Sequence, residues 1–201
     1  MITPTIPGLR VLVARGSLVV LAVLLASGCG STTRQDTDAT LTALVTYVDA
    51  EVEVASDAGA CRDELARDRS TISADTAICL AGFAQTLLER AEAVSTSAAP
   101  AKGSSAGCVT SRADLAHAAR ATRDAWRRVI DLVRDTTTAN DELSSAEMGL
   151  AIASADERAD TLITVELAAF GKACLSESDA RRAEELPDRH RAAAHRTGQT
   201  I

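Results

Sequence analysis

Apolar residues return every three or four positions through most of this chain. Leu41, Val45, Val48, Val52 and Ala55 form one such stripe. It predicts a helix over about 37–58, with a continuation past Cys61 to Arg67 and with Asp36 or Asp38 as cap. Leu80, Phe83, Leu87, Ala91 and Val94, widened by Ile78, Ala84 and Leu88, predict a second helix over about 73–97. Residues 95–107 are rich in Ser, Ala and Gly, include Pro100, and read as a loop. Beyond it Leu115, Ala119, Thr122, Trp126, Val129 and Val133 alternate spacings of four and three, as in a heptad seam, within a helix over about 111–137. Ser111 and Asp114 have capping-box spacing at its start. Thr122 is the polar member of that seam, and its hydroxyl can bond back to a carbonyl one turn earlier. The fourth helix, over about 140–176 with Asn140 as cap, carries Leu143, Leu150, Ile152, Leu162, Val165, Ala169 and Phe170. Its stripe shifts at Asp156-Glu157-Arg158, which predicts a kink or a change of packing partner. A short fifth helix is expected over 178–186, followed after Pro187 by a charged, frayed tail.

Four amphipathic segments with mostly short connections predict an all-α, up-down-up-down four-helix bundle. The composition agrees: alanine is abundant, and the aromatics are only Tyr47, Phe83, Trp126 and Phe170. The bundle domain is placed at 39–176, and a short helix with a charged flexible tail at 177–201. Helical bundles host many functions, so fold alone names none.

The N-terminus carries a different pattern. Arg10 and Arg15 are the only charged residues before Cys29, and Ser17–Ala26 is almost wholly apolar. A basic flank, an apolar run of about ten residues and small residues at the end have the form of an export signal. The run falls short of the ~20 apolar residues of a membrane-spanning helix. It closes on Ala26-Ser27-Gly28-Cys29, which resembles the lipobox of bacterial lipoproteins; Ala26 stands where Leu is commoner. The resemblance covers about the first 29 residues. It implies a signal peptide at 1–28, cleavage between Gly28 and Cys29, a covalent diacylglycerol on the Cys29 thiol, and a lipidated tether at 29–38. It further implies a location on the outer face of the bacterial cell membrane, or in the outer membrane of a source that has one. Two acyl chains suffice for stable anchoring.

Export changes the reading of charge and of cysteine. Loss of residues 1–28 leaves 173 residues, and loss of Arg10 and Arg15 moves the net charge from −7 to −9. That acidity argues against a nucleic-acid partner. With Cys29 taken by lipid, Cys61, Cys79, Cys108 and Cys174 form an even set in an oxidising compartment, with three possible pairings. In an up-down bundle Cys61 and Cys79 lie at the end far from the lipid, and Cys108 and Cys174 at the near end. Disulfide geometry needs Cα atoms within about 7 Å, so the pairing is Cys61–Cys79 and Cys108–Cys174.

No pattern for a reaction stands out. H-E-x-x-H, G-x-S-x-G and a phosphate loop are all missing from the sequence, and no C-x-x-C pair suggests zinc. His117 reads as a surface residue off the seam, and His190 and His195 as flexible surface residues of the tail. Asp156, Glu157 and Asp160, around Arg158, read as a solvated acidic face, and Trp126 as core. Haem ligation would require His117 or Met148 to face a cavity. No catalytic residue, metal or cofactor is therefore assigned. The expectation is a membrane-anchored, non-enzymatic interaction module for a protein or envelope partner. The alternative is a carrier or sensor of a small apolar or lipid ligand held between helices. A cavity of about 300 Å³ would favour the carrier, and an exposed apolar patch the module.

Overall fold

The computed structural model describes the backbone of residues 10–65, 70–100, 103–139 and 142–196. Side chains are described from Arg34 onward, except at positions 60, 62, 64, 139 and 196. The described residues contain helices and no strand: α1 (Arg10–Asp57), α2 (Gly59–Leu65), α3 (Ala74–Ser97), α4 (Ala106–Ala139), α5 (Ser145–Asp160), a π-helical segment (Thr161–Glu166), α6 (Leu167–Cys174), α7 (Glu177–Glu184) and α8 (Leu186–Arg196). α1, α3, α4 and the composite helix α5–π–α6 run alternately down and up, so the all-α bundle expected from the periodicity is the observed fold.

The helix ends show where local chemistry won. Ser73 caps α3 by accepting from the Thr76 amide at 3.2 Å. α4 starts ahead of the Ser111–Asp114 pair, because Ser105 accepts from the Cys108 amide at 3.2 Å and takes the capping role. Gly103, with φ of 87°, turns the chain just before it. Ser144 caps α5 through the Glu147 amide, and Asn140 lies outside the described residues. The 29–38 segment, expected as a tether, continues α1 as helix; no proline interrupts the chain between Pro7 and Pro100. The disturbance expected near Asp156-Glu157-Arg158 takes the form of the π segment that follows Asp160. Such single-turn widenings shift the register of a helix face and are frequent at functional sites.

Two stacked apolar layers fill the bundle. The upper one gathers Leu41, Leu44 and Val48 of α1, Ala91 and Val94 of α3, Leu115 and Ala119 of α4, and Leu162, Ile163, Leu167 and Phe170 of the fourth helix. The lower one gathers Val54 and Ala58, Leu80, Ala84 and Leu87, Trp126 and Val129, and Met148, Ile152 and Ala155. All six members of the α4 seam are buried, and the Thr122 hydroxyl donates to the Ala118 carbonyl at 3.0 Å. Of the expected α1 stripe Leu41, Val48 and Ala55 are buried, but its face is rotated slightly: Leu44 and Glu51 join them, while Val45 and Val52 are half-exposed. Ile78, Leu150 and Val165, expected on apolar stripes, are exposed.

Both disulfides join helix ends on the same side of the bundle. Cys61–Cys79 ties α2 to α3 at the lower end with Cα atoms 6.4 Å apart. Cys108–Cys174 ties the start of α4 to the end of α6 at the upper end with Cα atoms 4.9 Å apart. Backbone hydrogen bonds from Ile72 to Leu143 and from Ser145 to Ser70 join the two lower connections.

The region after 176 overturns the reading of a charged flexible tail. Ser176 caps α7 through the Asp179 amide, and α8 packs against α1 and the π segment. Ala183, Leu186, His190 and Ala193 are buried. Pro187 sits in the first turn of α8, where its missing N–H costs nothing. The main partners of α1 are α3 and α8. A fifth helix thus closes the bundle between the first and the fourth.

Candidate functional site

The strongest concentration of polar chemistry lies where the two layers meet, between α1, α4, α5 and α8. Tyr47 and Glu51 stand one turn apart on α1, so both project to the same face. Tyr47 is fully buried and Glu51 is 8 % exposed. The Trp126 indole N–H of α4 donates to the Tyr47 hydroxyl at 3.4 Å. The negative charge of Glu51 acts on that hydroxyl from the next turn of α1. From α8, His190 brings its Nδ1 to 2.7 Å from Glu51 Oε2. Its Nε2 lies 3.7 Å from Asp160 Oδ1 on α5. Arg189, the preceding residue, pairs with Asp49. The result is a buried cluster of two bonded pairs, Trp126–Tyr47 and His190–Glu51, held side by side on one face of α1.

Electrostatics follow from that arrangement. Burial pushes the Tyr47 phenol well above its usual range, and the negative charges of Glu51 and Asp156 add to the effect. Tyr47 therefore remains a neutral O–H donor. For His190, burial opposes the charged form. The hydrogen bond that it donates to Glu51 and the negative charges of Glu51, Asp160 and Asp156 outweigh it, so its pKa rises above the ordinary 6.5. The surroundings thus favour the imidazolium more than water does. A protonated phenol and a histidine paired with carboxylates give this cluster hydrogen-bonding and charge-pairing capacity without an activated nucleophile.

A second buried basic side chain sits at the upper end. Arg112 of α4 is 1 % exposed. It donates through Nη2 to the Ser97 carbonyl at 2.7 Å and the Ala99 carbonyl at 2.8 Å, and through Nε to Ala99 at 3.1 Å. The Thr40 hydroxyl of α1 also donates to Ser97 O, at 2.7 Å. Arg112 thereby satisfies the open carbonyls at the end of α3, where the helix dipole favours a cation. Burial lowers its pKa and Asp36 pulls it back up.

The structure disperses the remaining residues singled out in the sequence. Trp126 and Met148 are core, whereas His117 and His195 are exposed. His190, expected as a flexible surface residue, is buried, because α8 folds back onto α1. Asp156 and Asp160 turn toward His190, whereas Glu157 and Arg158 face solvent. The Cys29 side chain lies outside those described. Tyr47, Glu51 and Arg112 were not signalled as site residues by the sequence. The available clue was His190 itself, spaced with Leu186 and Ala193 on one helical stripe.

No group of three or more metal-binding side chains suited to an ion occurs among the described residues. No described helix is long and apolar enough to cross a membrane. The cavity lined by Val54, Ala58, Leu80, Phe83, Ala84, Leu87 and Trp126 has a volume of about 10 Å³, room for one water. No family model, curated protein or solved structure matches the chain.

Proposed function

We propose that this chain is an extracytoplasmic lipoprotein, acylated on Cys29, whose helical domain is a non-enzymatic interaction module for a protein or envelope partner at the membrane. The observation that carries the reading is the state of the cysteines. Cys61, Cys79, Cys108 and Cys174 are joined in two disulfides within the domain. This fits an oxidising compartment and leaves Cys29, at the end of Ala26-Ser27-Gly28-Cys29, for the lipid. Tethering would then act by raising the domain's effective concentration for partners held at the same surface. The main polar cluster is closed, with Tyr47, Glu51 and His190 all buried, which supports a recognition role over catalysis. The cavity of about 10 Å³ between α1, α3 and α4 falls far short of the ~300 Å³ that a carried ligand needs, so the carrier reading gains no support there.

The test is metabolic labelling of the full chain with an alkyne fatty acid, followed by membrane fractionation and crosslinking. The expected outcome is a labelled, membrane-bound protein crosslinked to a discrete partner, with label and membrane association lost in Cys29→Ala. Label retained in Cys29→Ala would overturn the anchor. A defined lipid co-purifying with the delipidated domain would overturn the interaction module in favour of the carrier.

A further inference from the structure

We propose that α8 is a detachable strap, filling the seam between α1 and the π segment, and that the charge on His190 sets how firmly it is held. The seam exists because α1 packs chiefly on α3 and α8, while α5 and the π segment pack on α4. α8 descends beside α1, so that Arg189 meets Asp49 and His190 meets Glu51.

Its grip is mostly polar. Among its described side chains Leu186, His190 and Ala193 are the buried ones. Leu186 alone of these joins the upper apolar layer. An isolated helix of eleven residues is marginal in water, so α8 depends on what it docks against. The polar hold consists of the His190–Glu51 contact at 2.7 Å, the approach of His190 to Asp160 at 3.7 Å, and the Arg189–Asp49 pair. The seam that α8 covers is rimmed by Asp49, Glu51 and Asp160.

Among the described residues, the charges that act on His190 from outside α8 are carboxylates. α1 presents Glu51, beside the neutral Tyr47 hydroxyl, and α5 presents Asp156 and Asp160. Within α8, Arg191 pairs with Asp188, and Arg189 pairs across to Asp49. α7 pairs Arg181 with Glu177 at 2.5 Å and Arg182 with Asp179 at 4.0 Å. An imidazolium is therefore attracted from two elements at once. A neutral imidazole keeps one N–H bond to Glu51 and loses the rest of that attraction. Because the docked pKa lies above the ordinary value of about 6.5, the stabilisation is complete below that value and fades as pH rises through the docked pKa. Each unit of difference between docked and free pKa amounts to about tenfold in the docking equilibrium.

Hydrogen exchange on the disulfide-intact full chain, compared between about pH 6 and pH 9 after correction for intrinsic exchange, tests this. The amides of α8 should lose about tenfold more protection than those of α3 and α4 for each unit of pKa elevation. His190→Gln should flatten that difference while leaving α3 and α4 protected, and Glu51→Gln should flatten it as well. α8 protection that tracks α4 across the range in the wild-type chain would overturn the strap. A pH-dependent difference that persists unchanged in Glu51→Gln, or in a folded His190→Gln, would overturn the role of His190. The wild-type profile decides alone should a variant fail to fold.

Discussion

Two buried basic side chains, Arg112 and His190, fasten this bundle, and they do so by different chemistry. Arg112 at the upper end is bonded to the backbone carbonyls of Ser97 and Ala99. His190 at the layer junction is bonded to the carboxylate of Glu51. A guanidinium stays charged at any ordinary pH, and a carbonyl does not titrate, so the upper fastening is permanent. An imidazole against carboxylates loses its charge within a few pH units. Burial alone does not make a cation structural or conditional; its partner and its own chemistry decide. The upper end is further closed by Cys108–Cys174 and by Thr40 donating to Ser97. α8 has no covalent tie beyond its chain connection among the described residues.

The comparison can be broken at several strengths. The largest expected effect is at the permanent end. Replacing Cys108 and Cys174 with Ser should cost about 4 kcal/mol, against about 3 for the Cys61–Cys79 pair, because the loop it closes is longer. Equal losses in denaturant unfolding would show that loop length does not set what each cross-link contributes. Arg112→Met should cost about 3 kcal/mol, since it leaves buried carbonyls without their donor. That loss should be the same at pH 6 and pH 9. His190→Ala should cost about 2 kcal/mol below the ordinary histidine pKa and less above it. Its effect should appear first in α8 exchange. The sign follows from the raised pKa of His190, whose contribution is present at low pH and fades on raising it. Removing both partners in Glu51→Leu with His190→Leu should recover most of that loss, because no charge is then buried alone. Trp126→Phe, which removes the donor to Tyr47, should cost about 1 kcal/mol with little pH dependence. Leu150→Ser should lie within about 0.5 kcal/mol of wild type, its side chain being exposed.

Where the periodicity was unambiguous, reading it in one dimension succeeded. The α4 seam from Leu115 to Val133 is buried at each of its six positions, Thr122 included. Along α1 two stripes compete, one through Val45 and Val52 and one through Leu44 and Glu51. Apolarity favours the first, and the bundle buries the second together with Leu41, Val48 and Ala55. The reason lies 139 positions away in His190, which makes burial of Glu51 tolerable. Isolated from that partner, a glutamate argues against a core face. The α8 segment was similarly opaque: its composition is that of a solvated tail, and only the open seam beside α1 gives Leu186, His190 and Ala193 something to pack on.

The sequence by itself determined the four main helical segments, the register of α4, the heptad place of Thr122 and Trp126, and which cysteines lie at the same end. All of these depend on spacing along one chain segment or on the alternation of helix direction. Tertiary structure decided the rotation of α1, the capture of α8, and the assembly of Tyr47, Glu51, His190 and Asp160 into one cluster. Those outcomes depend on pairwise contact between distant segments. A charge is stable in the interior only once its partner has arrived, and neither residue of such a pair announces the other.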